Sequence, residues 1–334
     1  MTDIKYGRCA AIFGCASTVL SAKEKIFFAK ADPFGLILFA RNVKNADQIR
    51  ALCSDLRDCV GWYMPIFIDQ EGGRVQRLRS PLAKEWPAPL DHVDMSGENA
   101  EQVIFARYFL IAQELRDLGI TVNCAPVADI SHPQTHQVLK NRCFGRNAAT
   151  VSRLARAAAN GLLKGGVLPV VKHIPGHGLA QVDSHKEAPV VDAAKFELSN
   201  GDFVPFKAMN DLPMGMTGHV IYREIDEKKP GTVSEKIIRL IRNYIRFDGL
   251  LMSDDLSMQA LGGTIIKRAE AAIDAGCDII LHCNGELGEM KKIAGAIGEM
   301  SYTARLRAEK VIGLHNSLSG IKVDLQQAYA QLKT

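Results

Sequence analysis

Eight short apolar runs recur along this 334-residue chain, each breaking into a polar loop, with helical patterns between them. They are Ala10–Gly14, Gly35–Ala40, Pro65–Ile68, Ile120–Val127, Gly166–Val171, Met214–Val220, Gly249–Met252 and Cys277–Leu281. Short continuous apolar runs read as strands buried on both faces. Between two of them, Ile104, Tyr108, Ile111, Leu115 and Leu118 repeat at helical spacing and give one apolar face, closed by Gly119. Residues 148–163 and 265–275 read similarly, the second closed by Gly276. Strands alternating with helices imply a parallel sheet, because parallel neighbours need a crossover connection. Eight such units at this length predict an α/β fold, a (β/α)8 TIM barrel in a single domain. An open doubly wound sheet is the alternative, but no G-x-G-x-x-G opens a helix after any strand. No linker-like tract interrupts the pattern, so residues 1–334 are expected to form one barrel domain. The charged helical tail from about Lys292 should supply C-terminal helices packed outside it.

Composition narrows the function classes. The chain is 47% hydrophobic and 23% charged, with a net charge of +4 spread along its length. Without a basic cluster there is no support for a nucleic-acid partner or for polybasic membrane attachment. No apolar stretch near the start has the length of a signal peptide or a spanning helix. Eight cysteines sit mostly inside apolar runs with no C-x-x-C pair, the pattern of buried free thiols in a reducing compartment. A cytoplasmic monomer is the expectation.

Chemistry concentrates where the strands finish, which in a parallel barrel is the functional end. Arg41 and Asn42 follow the second run, and Asp69 to Arg77 (DQEGGRVQR) follow the third. Asp129 follows the fourth, Lys172-His173 the fifth, His219 the sixth, Ser253-Asp254-Asp255 the seventh, and His282 and Asn284 the eighth. Asp254 should face the barrel mouth in a partly dry setting, as a nucleophile, a general base or a metal ligand. Asp255 should point elsewhere or cap the next helix. In the glycine-punctuated loop after the fifth run, Asp183-Ser184-His185 pairs a carboxylate with an imidazole, a combination suited to proton transfer near neutral pH. Lys172, beside His173, would donate to substrate hydroxyls or a carboxylate, while Asp69 and Arg77 could grip a polyhydroxylated ligand. Glu71 reads as a loop ion-pair partner of Arg74 or Arg77, and His132 and His136 as surface residues. A metal-dependent barrel hydrolase is an alternative, although the His-x-His pair that usually opens that class is missing.

Four of these motifs in one order resemble the family 3 glycoside hydrolases: DQEGGRVQR (Asp69–Arg77), KHIPGHG (Lys172–Gly178), DSH (Asp183–His185) and FDGLLMSDDL (Phe247–Leu256). More narrowly, they resemble the family's single-domain bacterial β-N-acetylglucosaminidases, over roughly residues 30–285. The resemblance implies a (β/α)8 barrel and retaining hydrolysis, with Asp254 as nucleophile, His185 as acid/base and Asp183 as its partner. It also implies substrate binding by Asp69, Arg77, Arg142, Lys172 and His173, with no metal or organic cofactor. A closed-state distance from His185 to Asp254 of about 5–5.5 Å is then expected, the spacing of retaining enzymes. The implied substrate is a small saccharide or muropeptide. It carries a non-reducing terminal β-linked N-acetylglucosamine on 1,6-anhydro-N-acetylmuramic acid, with or without peptide, and is met in cell-wall recycling. A β-glucosidase-type or phosphorolytic member of the same family remains open at this point.

Overall fold

The computed structural model describes residues 5–182 and 187–319. All eight apolar runs form strands: β1 (Cys9–Gly14), β2 (Pro33–Leu38), β3 (Ile66–Ile68), β4 (Val122–Asn123), β5 (Leu168–Ile174), β6 (Met214–Thr217), β7 (Leu250–Asp255) and β8 (Ile279–His282). They pair in parallel in sequence order, and β1 closes the circle on β8. The chain therefore folds as a (β/α)8 barrel.

Alternation along the strands divides the core in two. Ala10 and Ile12, Leu168 and Val170, and Leu250 and Met252 pack together inside the barrel with Phe34, Phe67 and Met214. Their neighbours Ala11, Phe13, Val171 and Leu251 pack outward against the helices. Side chains two apart share a face of a strand. Continuing the inward set by one step thus brings Lys172 and Asp254 to the mouth.

The helices follow from ordinary signals. α1 (Ala22–Ala31) opens on a capping box in which Ser21 and Glu24 exchange bonds with each other's backbone N–H. α2 (Ala46–Val60) and α3 (Ala148–Lys164) are both capped by asparagine side chains. α4 (Ile265–Ala275) ends on Gly276 at φ 109°, a left-handed position that suits glycine. The tail forms α5 (Leu287–Ile297) and α6 (Tyr302–Leu318). More specifically than expected from sequence, α6 lies across the N-terminal end of the barrel. Its Ala304, Ala308, Val311 and Ile312 join the interior cluster, and Arg307 reaches Asp278 at 3.0 Å.

Several boundaries differ from the sequence reading, three of them near the site. β5 does not break after Val171 but runs through Lys172 and His173 to Ile174, and β7 includes Asp254 and Asp255. The fourth run yields only two strand residues. There the Asn123 side chain takes over on the β3 side, accepting from the Gln70 N–H and donating to its carbonyl at 3.0 Å each, and Pro126 brings no N–H of its own, while the following residues still exchange backbone bonds with β5 up to a bridge between Val127 and Lys172.

Candidate active site

The loop after β3 turns back as a tight hairpin, Gln70–Gly72 against Val75–Gln76. Gly72 sits at φ 103°, and a Cβ there would lie 1.9 Å from the Arg107 guanidinium. That fully buried guanidinium donates to the carbonyls of Glu71 and Pro87. It fixes the hairpin from below, so the side chains of Asp69 and Arg77 are presented to the mouth while Glu71 is buried behind them.

Two ionic layers result. Asp69 accepts from Arg77 and from Lys172, each at 2.9 Å. Glu71, wholly buried, accepts both Arg142 donors at 2.8 and 2.9 Å and pairs with Lys172 at 2.6 Å. The expected pairing of Glu71 with Arg74 or Arg77 is thus replaced. The hairpin turns its carboxylate inward, towards cations from two other loops. Burial acts to raise the Glu71 carboxyl, but Arg142 and Lys172 outweigh it and hold the group down at about 2. Asp69 is likewise held well below the carboxylate range, burial being overcome by Lys172 and Arg77. Lys172 is pushed up: desolvation opposes its charge, and Asp69 and Glu71 win.

Asp254 ends the inward face of β7. One carboxylate oxygen accepts the N–H of Asp255 at 2.8 Å. Burial opposes its charge, but His219, His173, that N–H and Lys172 together lower it below the usual range. A carboxylate ionised at neutral pH and faced by cationic or polar hydrogens can attack an electrophilic carbon. His219 supports it from behind. Its Nε2 donates to the Asp255 carbonyl at 3.0 Å, and its Nδ1 meets the Thr232 hydroxyl at 2.7 Å. Asp255 points differently, accepting from Ser257 and from the Cys283 N–H, although it too borders the cavity.

Asp69, Arg77, Arg142, Lys172, His173 and Asp254 line one cavity of about 210 Å³ at the C-terminal end of the barrel. Asp183 and His185 lie outside the described residues. Of the other strand-end groups, Arg41 and Asn42 bond the Cys15 carbonyl, and His282 and Asn284 both bond Glu289, so these serve the loops rather than the cavity. His132 is held by Asp202 at 3.1 Å, whereas His136, read from sequence as a surface residue, lines the cavity. Asp129 and His177, named from sequence only as a strand-end aspartate and as part of the KHIPGHG motif, also belong to the surroundings of the cavity. Asp129 carries only the weak signal of an aspartate at a strand end, and His177 stands in the glycine-rich loop. Among the described residues, no cluster of three or more histidine, cysteine, aspartate or glutamate side chains is arranged to hold a metal ion.

Residues 18–312 match the family model described as glycosyl hydrolase family 3 N terminal domain. The chain belongs to glycoside hydrolase family 3. It is 37% identical over 257 residues to a β-hexosaminidase of Bordetella avium, covering 75% of this chain and 73% of that one. With a β-hexosaminidase of Pseudomonas aeruginosa it shares 33% identity over 299 residues, 89% and 88% of the two chains. Native NagZ from Neisseria gonorrhoeae superposes with a TM-score of 0.84 at 30% identity, over 98% of this chain and 97% of that one. A family 3 β-N-acetylglucosaminidase from Paenibacillus sp. FPU-7 superposes with a TM-score of 0.86 at 27% identity; this chain spans 64% of that longer protein. The protein is thus a glycoside hydrolase of the single-domain bacterial, NagZ-like type. No helix of the described residues is long and apolar enough to cross a membrane.

Proposed function

We propose that this β-N-acetylhexosaminidase removes single β-linked N-acetylglucosamine residues from non-reducing ends by double displacement through Asp254. In the first step an Asp254 oxygen attacks the anomeric carbon as His185, oriented by Asp183, gives its proton to the departing glycosidic oxygen. In the second, His185 takes a proton from water, which attacks the same carbon and releases Asp254. Asp69, Arg77, Lys172, His173 and Arg142 hold the sugar. The observation that carries the reading is the half-buried Asp254 carboxylate on the floor of a small cavity walled by hydrogen-bonding ionic groups, its carboxyl held below the usual range by those neighbours. Such a wall suits a single polyhydroxylated ring better than an extended chain. The natural substrates in this reading are N-acetylglucosaminyl-1,6-anhydro-N-acetylmuramic acid and its peptide-bearing forms, handled in the cytoplasm during cell-wall recycling. Support for it comes from the NagZ-like relatives of matching length and from the free thiols.

The test is turnover of an aryl β-N-acetylglucosaminide against the matching β-glucoside, with chelator and with or without phosphate. It is repeated on Asp254→Ala, with intact-protein mass spectrometry during turnover. The expected result is chelator-resistant, phosphate-independent preference for the acetamido sugar, abolished in the variant, with one N-acetylhexosaminyl unit transiently attached to the native chain. Preference for the glucoside, or release of a sugar phosphate, would move the activity elsewhere in the family. Full activity of Asp254→Ala would refute the mechanism.

A further inference from the structure

Asp129 stands at the end of the fourth βα unit, completely buried, and its carboxylate is spent on the fifth. One oxygen, Oδ2, lies 2.7 Å from Nδ1 of His173. The other, Oδ1, accepts the backbone N–H of His177 at 2.6 Å and lies 3.4 Å from that of His173. His173 is itself buried, lines the cavity, and has the His177 ring edge-on at 5.5 Å between centroids. An ionised carboxylate can only accept. With Oδ2 opposite Nδ1, the ring proton of neutral His173 must therefore sit on Nδ1, leaving the Nε2 lone pair free.

We propose that Asp129 is the positioning residue of the glycone site, fixing His173 as its Nδ1–H tautomer so that Nε2 presents an acceptor to a sugar hydroxyl, while anchoring at His177 the segment that leads on to residues 183–185. The proposal rests on the glycosidase reading for its consequence in catalysis, but the tautomer itself does not depend on that reading. One carboxylate thereby couples two functions. The oxygen that orients the ring and the oxygen that holds the following turn are rigidly joined, so the glycone contact and the base of the next loop keep one geometry. A wrong tautomer turns an acceptor into a donor at the same place, and a hydroxyl arranged to donate then meets a second hydrogen. Losing a hydrogen bond while burying the mismatch typically costs binding about 10- to 100-fold.

Asp129→Asn separates the two oxygens. The amide keeps Oδ1 for the His177 N–H, but its NH2 now faces Nδ1 and drives the ring proton to Nε2. Ring 15N–1H correlation spectra of histidine-labelled protein above pH 8, with His173→Gln used to assign the signals, should show Nδ1–H in the native chain and Nε2–H in Asp129→Asn. Turnover of the aryl β-N-acetylglucosaminide should fall about 10- to 100-fold in kcat/KM, and that loss should shrink to less than about threefold when Asp129→Asn is placed on His173→Gln. An Nε2–H tautomer in the native chain, measured without any variant, would overturn the proposal. So would a variant that keeps Nδ1–H, or an equal loss in the His173→Gln background, which would mark Asp129 as merely structural. A native chain that shows Nδ1–H but no turnover of the aryl glycoside would instead refute the glycosidase reading and leave the positioning role standing.

Discussion

Replacing Glu71 by glutamine should destabilise the protein by about 3 kcal/mol, and the structure gives that figure by two routes. The Glu71 side chain is fully buried and faces Arg142 and Lys172, themselves only 13% and 3% exposed. Removing one partner from a buried ion pair costs about 3–5 kcal/mol, because the remaining charges stay buried. Glutamine retains one acceptor for Arg142, and Lys172 keeps Asp69, which favours the lower end. The second route reads the same contacts through the carboxyl's titration: Arg142 and Lys172 hold it down at about 2 rather than the ordinary 4.5, on the order of 3 kcal/mol of stability at neutral pH. For 334 residues at about 2.1 cal/mol/K each, that is a Tm lower by about 4 °C. The pH dependence follows from the sign of the shift. A carboxyl with a depressed folded pKa contributes fully above its unfolded value and loses that contribution as pH falls towards about 2. The Tm gap between native and Glu71→Gln should therefore be constant from pH 8 to 6, then narrow by about 1 °C at pH 4. Circular dichroism melts of both proteins across that range measure it. A gap below 1 °C at pH 7 (about a quarter of the figure above), or one that widens in acid, would refute the reasoning.

Four further outcomes follow from the same geometry. Because neighbouring His219, His173 and Lys172 outweigh burial at Asp254, its protonation should not limit kcat/KM between pH 7 and about 5; a nucleophile-dependent acid limb inside that window would contradict this. Gly72→Ala should cost at least about 2 kcal/mol and raise KM, since the new Cβ meets the Arg107 guanidinium at 1.9 Å in a left-handed backbone; unchanged Tm and KM would exclude the clash. Asp278→Ala removes the acceptor shared by Arg242, Arg307 and the Leu251 N–H under the barrel, and should lower Tm by several degrees while leaving KM unchanged. His315 is pushed down to about 4 by burial and by Arg57, so the stability it allows above pH 6.5 is lost as pH falls towards 4; His315→Phe should melt about 3 °C above the native chain at pH 5 and show no such advantage at pH 8.

The strands were legible because the interior of a parallel barrel demands apolar runs on both faces, and none of the eight runs lacked a strand. Their ends were harder to place, for a physical reason. Lys172, His173, Asp254 and Asp255 are strand residues by backbone pairing, yet polarity alone marks them as loop. The converse happens at β4. There the apolar run continues through Val127, but Asn123 bonds Gln70 with its side-chain amide, and only the β5 side keeps backbone pairing beyond it.

The ionic partners show what a linear reading cannot supply. Asp69 and Arg77 are joined across one hairpin, so their spacing within the motif already suggests a common ligand. Glu71 lies in the same hairpin but pairs with Arg142, 71 residues away, and Lys172. That choice depends on which way the Gly72–Gly73 turn directs the carboxylate, and so on the buried Arg107 beneath it. Asp129 is a stronger case still, because its partners are a ring nitrogen and a backbone N–H on the next βα unit. Lys172 and Asp254 line the cavity as inward-facing residues carried one step past the apolar core, so strand alternation locates them. The groups that orient those residues come from neighbouring units around the barrel. Only closure of the sheet determines which unit is the neighbour, and this is why Asp254 and Lys172 could be placed at the mouth from sequence while the partners of Glu71 and Asp129 could not.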